Sequence, residues 1–178
     1  MKHAELEAIT RKLWNRVDGD PRLRLFAILD CARNESIRPA LMATDLEYRC
    51  LYRGEIPIVL AKVAPYLVEV PFDSGFLDYL IKNGWGDSWG LFLTSTSALD
   101  PLRRHLRRFL RVRDPKGRTL VFRYYDPRVM RTFLPTCSPS QLEDLFAEIQ
   151  SFVIENPEGD GMTEYSLVDS QLQTALAS

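Results

Sequence analysis

The chain has 178 residues, enough for one domain that buries roughly 70% of its unfolded surface. Its 46% hydrophobic and 26% charged fractions are those of an ordinary soluble globular protein, and no apolar run reaches the ~18 residues of a membrane span. The N-terminus MKHAELEAITRKLW is charged from its start, so no secretory signal is expected. The odd, widely spaced Cys31, Cys50 and Cys137 are then free thiols in a reducing cytoplasm. Two histidines, His3 and His105, with no C-x-x-C or H-x-x-x-H, leave little to build a zinc or iron site, and no metal or cofactor is expected.

Leu6, Ile9, Leu13 and Val17 recur at helical spacing, with Trp14 widening the face, and predict a helix over 4–16 that ends at Gly19-Asp20-Pro21. LRLFAILDC (23–31) is a nearly continuous apolar run of strand length, as in a strand covered on both faces. Asn34 or Ser36 is placed to cap a short helix carrying Ile37, Leu41 and Met42, and YRCLY (48–52) suits a short strand. PYLVEV (65–70) alternates as a second main strand. Asp73 or Ser74 then caps a helix to about Lys82, closed by Asn83-Gly84, and WGLFLTS (89–95) is a third apolar strand.

ALDPLRRHLRRFL (98–110) is an amphipathic helix. Leu99, Leu102, Leu106, Phe109 and Leu110 form its apolar stripe, opposite Arg103, Arg104, Arg107 and Arg108. A hairpin follows near 110–125 about an Asp114-Pro115-Lys116-Gly117 turn, with Tyr124 alternating in its second strand with Leu120 and Phe122. Asp126-Pro127 starts a short helix, and Ser138 with Pro139 and Gln141 makes a capping box for another that carries Leu142, Leu145, Phe146 and Ile149. SFVIEN (151–156) is a late strand. The acidic segment from about Pro157 shows a weak helical pattern near Leu167–Leu176, and its composition predicts a mobile or partner-ordered tail. Helices and strands alternate early and a hairpin comes late. This predicts a single three-layer α/β domain over 1–156, with a mixed sheet flanked by helices and the tail over 157–178.

The charge is unevenly placed. Residues 103–131 carry eleven Lys/Arg against two Asp/Glu, while 132–178 carry eight Asp/Glu and no base. The arginine face of the 98–110 helix therefore suits an acidic partner or the chain's own acidic segment. A nucleic-acid module would use this 103–131 stretch, with Phe109, Phe122, Tyr124 and Tyr125 as stacking groups. It is disfavoured because the whole chain is slightly acidic and the aromatics alternate as strand core positions do.

Gly86-Asp87-Ser88-Trp89-Gly90 matches G-x-S-x-G, the nucleophile elbow of serine hydrolases. The context is reversed: a helix precedes the motif and a strand follows it. His105, the only downstream histidine, sits among arginines that disfavour its cation. Ser88 is therefore read as a turn residue. Trp85 and Trp89 are read as packing residues, with partner anchoring as their alternative role.

The hairpin and its exit, RVRDPKGRTLVFRYYDPRVMRTFLPTC, resemble the bacterial adaptor family of type VI secretion, long curated as a domain of unknown function. The resemblance runs from about Leu25 to Phe146 through LFAILDCARN, YRCLYRGE, APYLVEV, FLDYLIKNGWGDSWGLFLTS and LPTCSPSQL, with FRYYDPRV the most specific block. It implies a non-enzymatic cytoplasmic chaperone that binds a toxic effector protein and loads it onto the spike protein of the injection apparatus, with no catalytic residues. Asp30, Arg33, Tyr124, Asp126, Pro127 and Arg128 match the family blocks and are read as structural. Asp126 caps a helix, and Asp30 pairs with Arg33 or Arg128. Some members carry a longer C-terminal lobe that helps choose the effector, whereas this chain has only about 40 residues beyond Phe133.

Overall fold

The computed structural model describes residues 3–71, 74–113 and 116–177. Its organising element is β1 (Arg24–Asp30), the expected strand of the LRLFAILDC run. Because successive side chains of a strand point to opposite faces, an unbroken apolar run must be covered on both sides. Leu25, Ala27 and Leu29 enter one core, Phe26 and Ile28 the other, and all five are buried. β1 pairs with β3 (Pro65–Glu69) and β4 (Gly90–Ser95). Beyond β3 lies β2 (Tyr48–Cys50). Beyond β4 come β7 (Ser151–Glu155), β8 (Met162–Val168) and β9 (Gln171–Ala177), giving the order β2-β3-β1-β4-β7-β8-β9.

Helices cover both faces of this α/β sheet. On the Leu25/Ala27/Leu29 side lie α1 (His3–Trp14), through Ile9 and Leu13, α2 (Ile37–Met42), through Ile37 and Leu41, and α4 (Phe76–Gly84). The side chain of Leu6 lies outside the described residues. On the Phe26/Ile28 side lie α5 (Leu99–Leu106), α6 (Pro127–Phe133) and α7 (Pro139–Phe146). A four-residue α3 (Ile58–Ala61) precedes β3. A small separate hairpin joins β5 (Arg111–Arg113) to β6 (Thr119–Val121).

Several expectations are corrected. The sheet is not mixed: every pairing among the described residues is antiparallel. The strands joined through α2 (β1 and β2) and through α4 (β3 and β4) do run in the same direction, but each pair is separated by an intervening strand of opposite direction, so every hydrogen-bonded neighbour is antiparallel. The 98–110 helix is α-helical only to Leu106 and continues as a tighter 3-10 turn over Arg107–Leu110. Gly75, in the left-handed region at φ 59°, occupies the N-cap of α4; of the two cap candidates, Asp73 lies outside the described residues. The hairpin strand ends at Val121, so Tyr124 does not alternate in it, and Asp114-Pro115 of the expected turn lie outside the described residues. The weak helical pattern near Leu167–Leu176 is overridden. Those residues form the β8–β9 hairpin and lengthen the main sheet, turning at Asp169 and Ser170 with φ 49° and 60°, the sign that a tight two-residue turn requires.

Candidate functional site

The GDSWG loop is built around a carboxylate that the sequence did not point to. Glu155, the last residue of β7, is 5% exposed and accepts hydrogen bonds from the backbone N–H of Gly86 (2.7 Å) and of Ser88 (2.8 Å). Ser88 Oγ also donates to it, at 3.3 Å. The loop wraps its N–H groups round this one anion, which holds Ser88 in the left-handed region at φ 56°. Burial pushes the Glu155 carboxyl above its ordinary value, and the three donors act against that shift. Arg131 Nη1 donates to the Glu155 carbonyl at 2.5 Å, tying α6 to the same strand end.

Two glycines frame the loop for steric reasons. A side chain at Gly90 would meet the Ile28 carbonyl oxygen at 2.0 Å, and one at Gly84 would meet the Trp89 ring at 2.5 Å. Ser88 thus sits buried between a helix end and a strand, with its hydroxyl committed to a carboxylate. Trp89 is buried against Tyr79. Trp85 is half-buried, stacks on Phe92 at 6.3 Å between ring centres, and with Glu155 lines a cavity of about 20 Å³.

His105 is also committed. It is buried, with Nε2 2.8 Å from the Leu145 carbonyl and Nδ1 3.1 Å from Arg108 Nη2. An Nε2–H tautomer satisfies both contacts. Burial, reinforced by the charge of Arg108, holds its pKa below the ordinary histidine value. It bridges α5 to α7 and makes no contact with Ser88.

The block RYYDPR forms a second charge cluster, with buried carboxylates and partly exposed guanidinium groups. Asp126 caps α6: its Oδ1 accepts from the Arg128 N–H (3.0 Å) and from Arg128 Nε (2.9 Å), while Arg128 Nη2 reaches Oδ2 at 2.6 Å. Pro127 fills the first helical position. Burial works against the Asp126 anion, but these bonds from Arg128 outweigh it and hold its pKa below the usual aspartate value. Asp30, fully buried at the end of β1, does not pair with Arg33 or Arg128 as expected. Its partner is Arg123, which also lies 3.9 Å from Asp126. Arg33 instead donates to the Asp87 carbonyl at 3.0 Å, bracing the GDSWG loop. Tyr124 is buried beneath α5 and donates to the Leu106 carbonyl at 3.0 Å.

Glu155 and Arg123 are the residues that sequence reasoning missed. Each left a faint signal: a carboxylate closing an apolar strand, and a lone cation inside an aromatic run.

The four arginines of α5 and its 3-10 extension divide by role. Arg103 is fixed to the carbonyls of Cys50 (2.7 Å) and Tyr52 (3.2 Å), and Arg108 to His105. Arg104 is exposed and Arg107 half-buried. The aromatics that would stack on bases pack on one another instead. Phe122 meets Phe133 at 4.6 Å, and Tyr124 contacts Phe109 and Tyr125. The three cysteines are free; burial raises the thiol pKa of each, that of Cys31 to about 12, which leaves them poor nucleophiles. Among the described residues no group of His, Cys, Asp and Glu is disposed to hold a metal ion, and no helix is long and apolar enough to cross a membrane.

Fold and site together define a three-layer α/β domain whose buried charges secure a loop and a helix start. The chain belongs to the family described as a domain of unknown function (DUF4123), whose model matches residues 25–144. That span opens in β1 and closes within α7, so β7, β8 and β9 lie beyond it. No curated protein and no solved structure matches the chain.

Proposed function

We propose that this protein is a bacterial, cytoplasmic, non-enzymatic adaptor that binds a type VI secretion effector and helps load it onto the spike protein. The reading starts from the resemblance of the FRYYDPRV, APYLVEV and Trp-Gly-rich blocks to that adaptor family. One observation carries it further: the buried polar groups at or beside the matching blocks are each taken up by a partner within the chain. Asp30 holds Arg123, Asp126 holds Arg128 and Glu155 holds Ser88. Such pairs rigidify a frame, whereas a catalytic group needs a partner-facing position and a cleft.

The test is co-purification of the tagged chain with the effector and spike proteins encoded beside its gene, each expressed with it separately and then together. Retention of both partners is expected. Retention of neither, from soluble folded components, would overturn the reading.

A further inference from the structure

Exposed apolar residues of α3 and a cluster of arginines both lie near the Cys50 end of the edge strand β2, and a second exposed apolar group, Val112, Leu120 and Val121, stands on the β5–β6 hairpin. The α3 helix and the residues after it expose a continuous apolar run: Ile58 is 61% exposed, Val59 75%, Leu60 40% and Val63 45%. Single exposed apolar residues are commonplace, but a run of them on one short element marks a contact surface. Only the Ala61 side of α3 is anchored, by Tyr66 Oη donating to the Ala61 carbonyl at 2.9 Å, so the other side chains face outward.

Tyr66 also pairs in register with Cys50, the last residue of β2, and the Cys50 carbonyl receives Arg103. Around Arg103 stand Arg107 and Arg53. Burial, followed by the like charges of Arg103 and Arg53, disfavours the Arg107 cation. The nearby Asp100 is already paired with Arg49, at 2.9 Å, and Glu55 is the only carboxylate on the 51–57 connection.

Of the chain's own acidic segment, Asp144 and Glu148 act on His105 of α5, and among the described residues no carboxylate of the segment is found acting on Arg107. The segment's strands β7, β8 and β9 lie at the far side of the sheet, with β9 six strand positions from β2, or roughly 29 Å at the usual strand spacing. Several of its carboxylates are also engaged there: Glu155 in the GDSWG loop, Glu164 with Arg16 and Glu143 with Ser170.

We propose that this corner, formed by Ile58, Val59, Leu60 and Val63 beside Arg53 and Arg107, docks an acidic amphipathic segment of a partner protein. Such a segment lays its apolar face on α3 and sets its carboxylates against the crowded guanidinium groups. It thereby covers exposed apolar area and relieves like-charge repulsion in one contact. The proposal rests on the adaptor reading only in taking the partner to be a protein.

The probe is a fluorescein-labelled Leu/Glu amphipathic helical peptide, with a Leu/Lys peptide of the same pattern as control, titrated by anisotropy at low and high salt. The Leu/Glu peptide is expected to bind about tenfold more tightly than its control, with the preference shrinking in high salt. Val59→Ser with Val63→Ser, and separately Arg53→Glu with Arg107→Glu, should each weaken it about tenfold. Val59, Val63 and Arg53 are exposed and Arg107 is half-buried, and unchanged thermal unfolding checks the fold. Equal binding of the two peptides would overturn the proposal, as would indifference to both pairs of substitutions or a preference for a single-stranded oligonucleotide. So would self-association, seen by light scattering, that the same substitutions abolish. If the effector co-purifies equally well with the Val59→Ser/Val63→Ser chain, the adaptor reading stands and this surface is refuted. If the peptide binds as described but the wild-type chain retains neither effector nor spike, the adaptor reading fails and the surface stands.

Discussion

Glu155 holds the GDSWG loop through hydrogen bonds to its carboxyl oxygens, and its two forms can be separated by experiment. Replacing it with alanine leaves the Gly86 and Ser88 N–H groups without their acceptor, a loss of about 1–3 kcal/mol for a buried donor. Glutamine keeps an acceptor oxygen but cannot titrate. Burial raises the folded-state pKa of Glu155 above its unfolded value near 4.5. The stability that comes from its protonated form is therefore complete below 4.5 and is lost as pH rises through the folded-state value. The stability of the wild type minus that of Glu155→Gln should accordingly fall as pH rises from about 4.5 and then level off. Urea unfolding of both proteins across that range reads this difference, because contributions from Asp126 and the other carboxylates cancel between them. A difference that rises with pH would mean that the loop holds the anion more strongly than burial resists it. The serine in this loop was visible in the sequence as a motif. What made it structural was not, because Glu155 lies 67 residues away and only the pairing of β4 with β7 brings it near.

Among the elements, those set by local chemistry were legible and those set by distant pairing were not. The Asp126-Pro127 start of α6 and the Ser138–Gln141 capping box of α7 need only neighbours in the chain, and both formed as read, the latter with its two reciprocal bonds. The interior strands were legible because a continuous apolar run leaves few alternatives, and Leu25, Ala27, Leu29, Leu91, Phe92 and Leu93 are all buried. β8 and β9 were misread because Leu167, Leu172 and Leu176 also fit a helical spacing, and Asp169-Ser170 lacks the glycine that usually signals a tight hairpin. The Asp30 partner was misassigned among several arginines for the same reason: a salt bridge across 93 residues leaves no local trace. That bridge ties the end of β1 to the start of α6. Arg123→Ala should cost about 2–4 kcal/mol, less than a fully buried pair because Arg123 is partly exposed, since it leaves the Asp30 carboxylate buried without its cation. Asp30→Asn in the Arg123→Ala background should recover part of the loss. Additive losses in urea unfolding would instead mean that the two side chains act independently.

At the scale of the molecule, the near-zero net charge conceals a polarity laid across the sheet. Arg103 and the other cations of the β2 edge stand on one side, and most of the acidic segment stands on the other, in β7, β8, β9 and the turns between them. A rigid sheet with dissimilar edges suits a protein that holds two partners at once, and that is the role proposed here. The most direct test is a secretion assay in a strain lacking this protein, complemented in turn with the wild type and with Ser88→Ala. The account predicts that the effector disappears from the exported fraction while the apparatus still fires. It also predicts that both forms of the protein restore export equally, because the proposed role asks nothing of Ser88 beyond its place in the loop. Effector export that persists without the protein, or that a folded Ser88→Ala variant fails to restore, would contradict it.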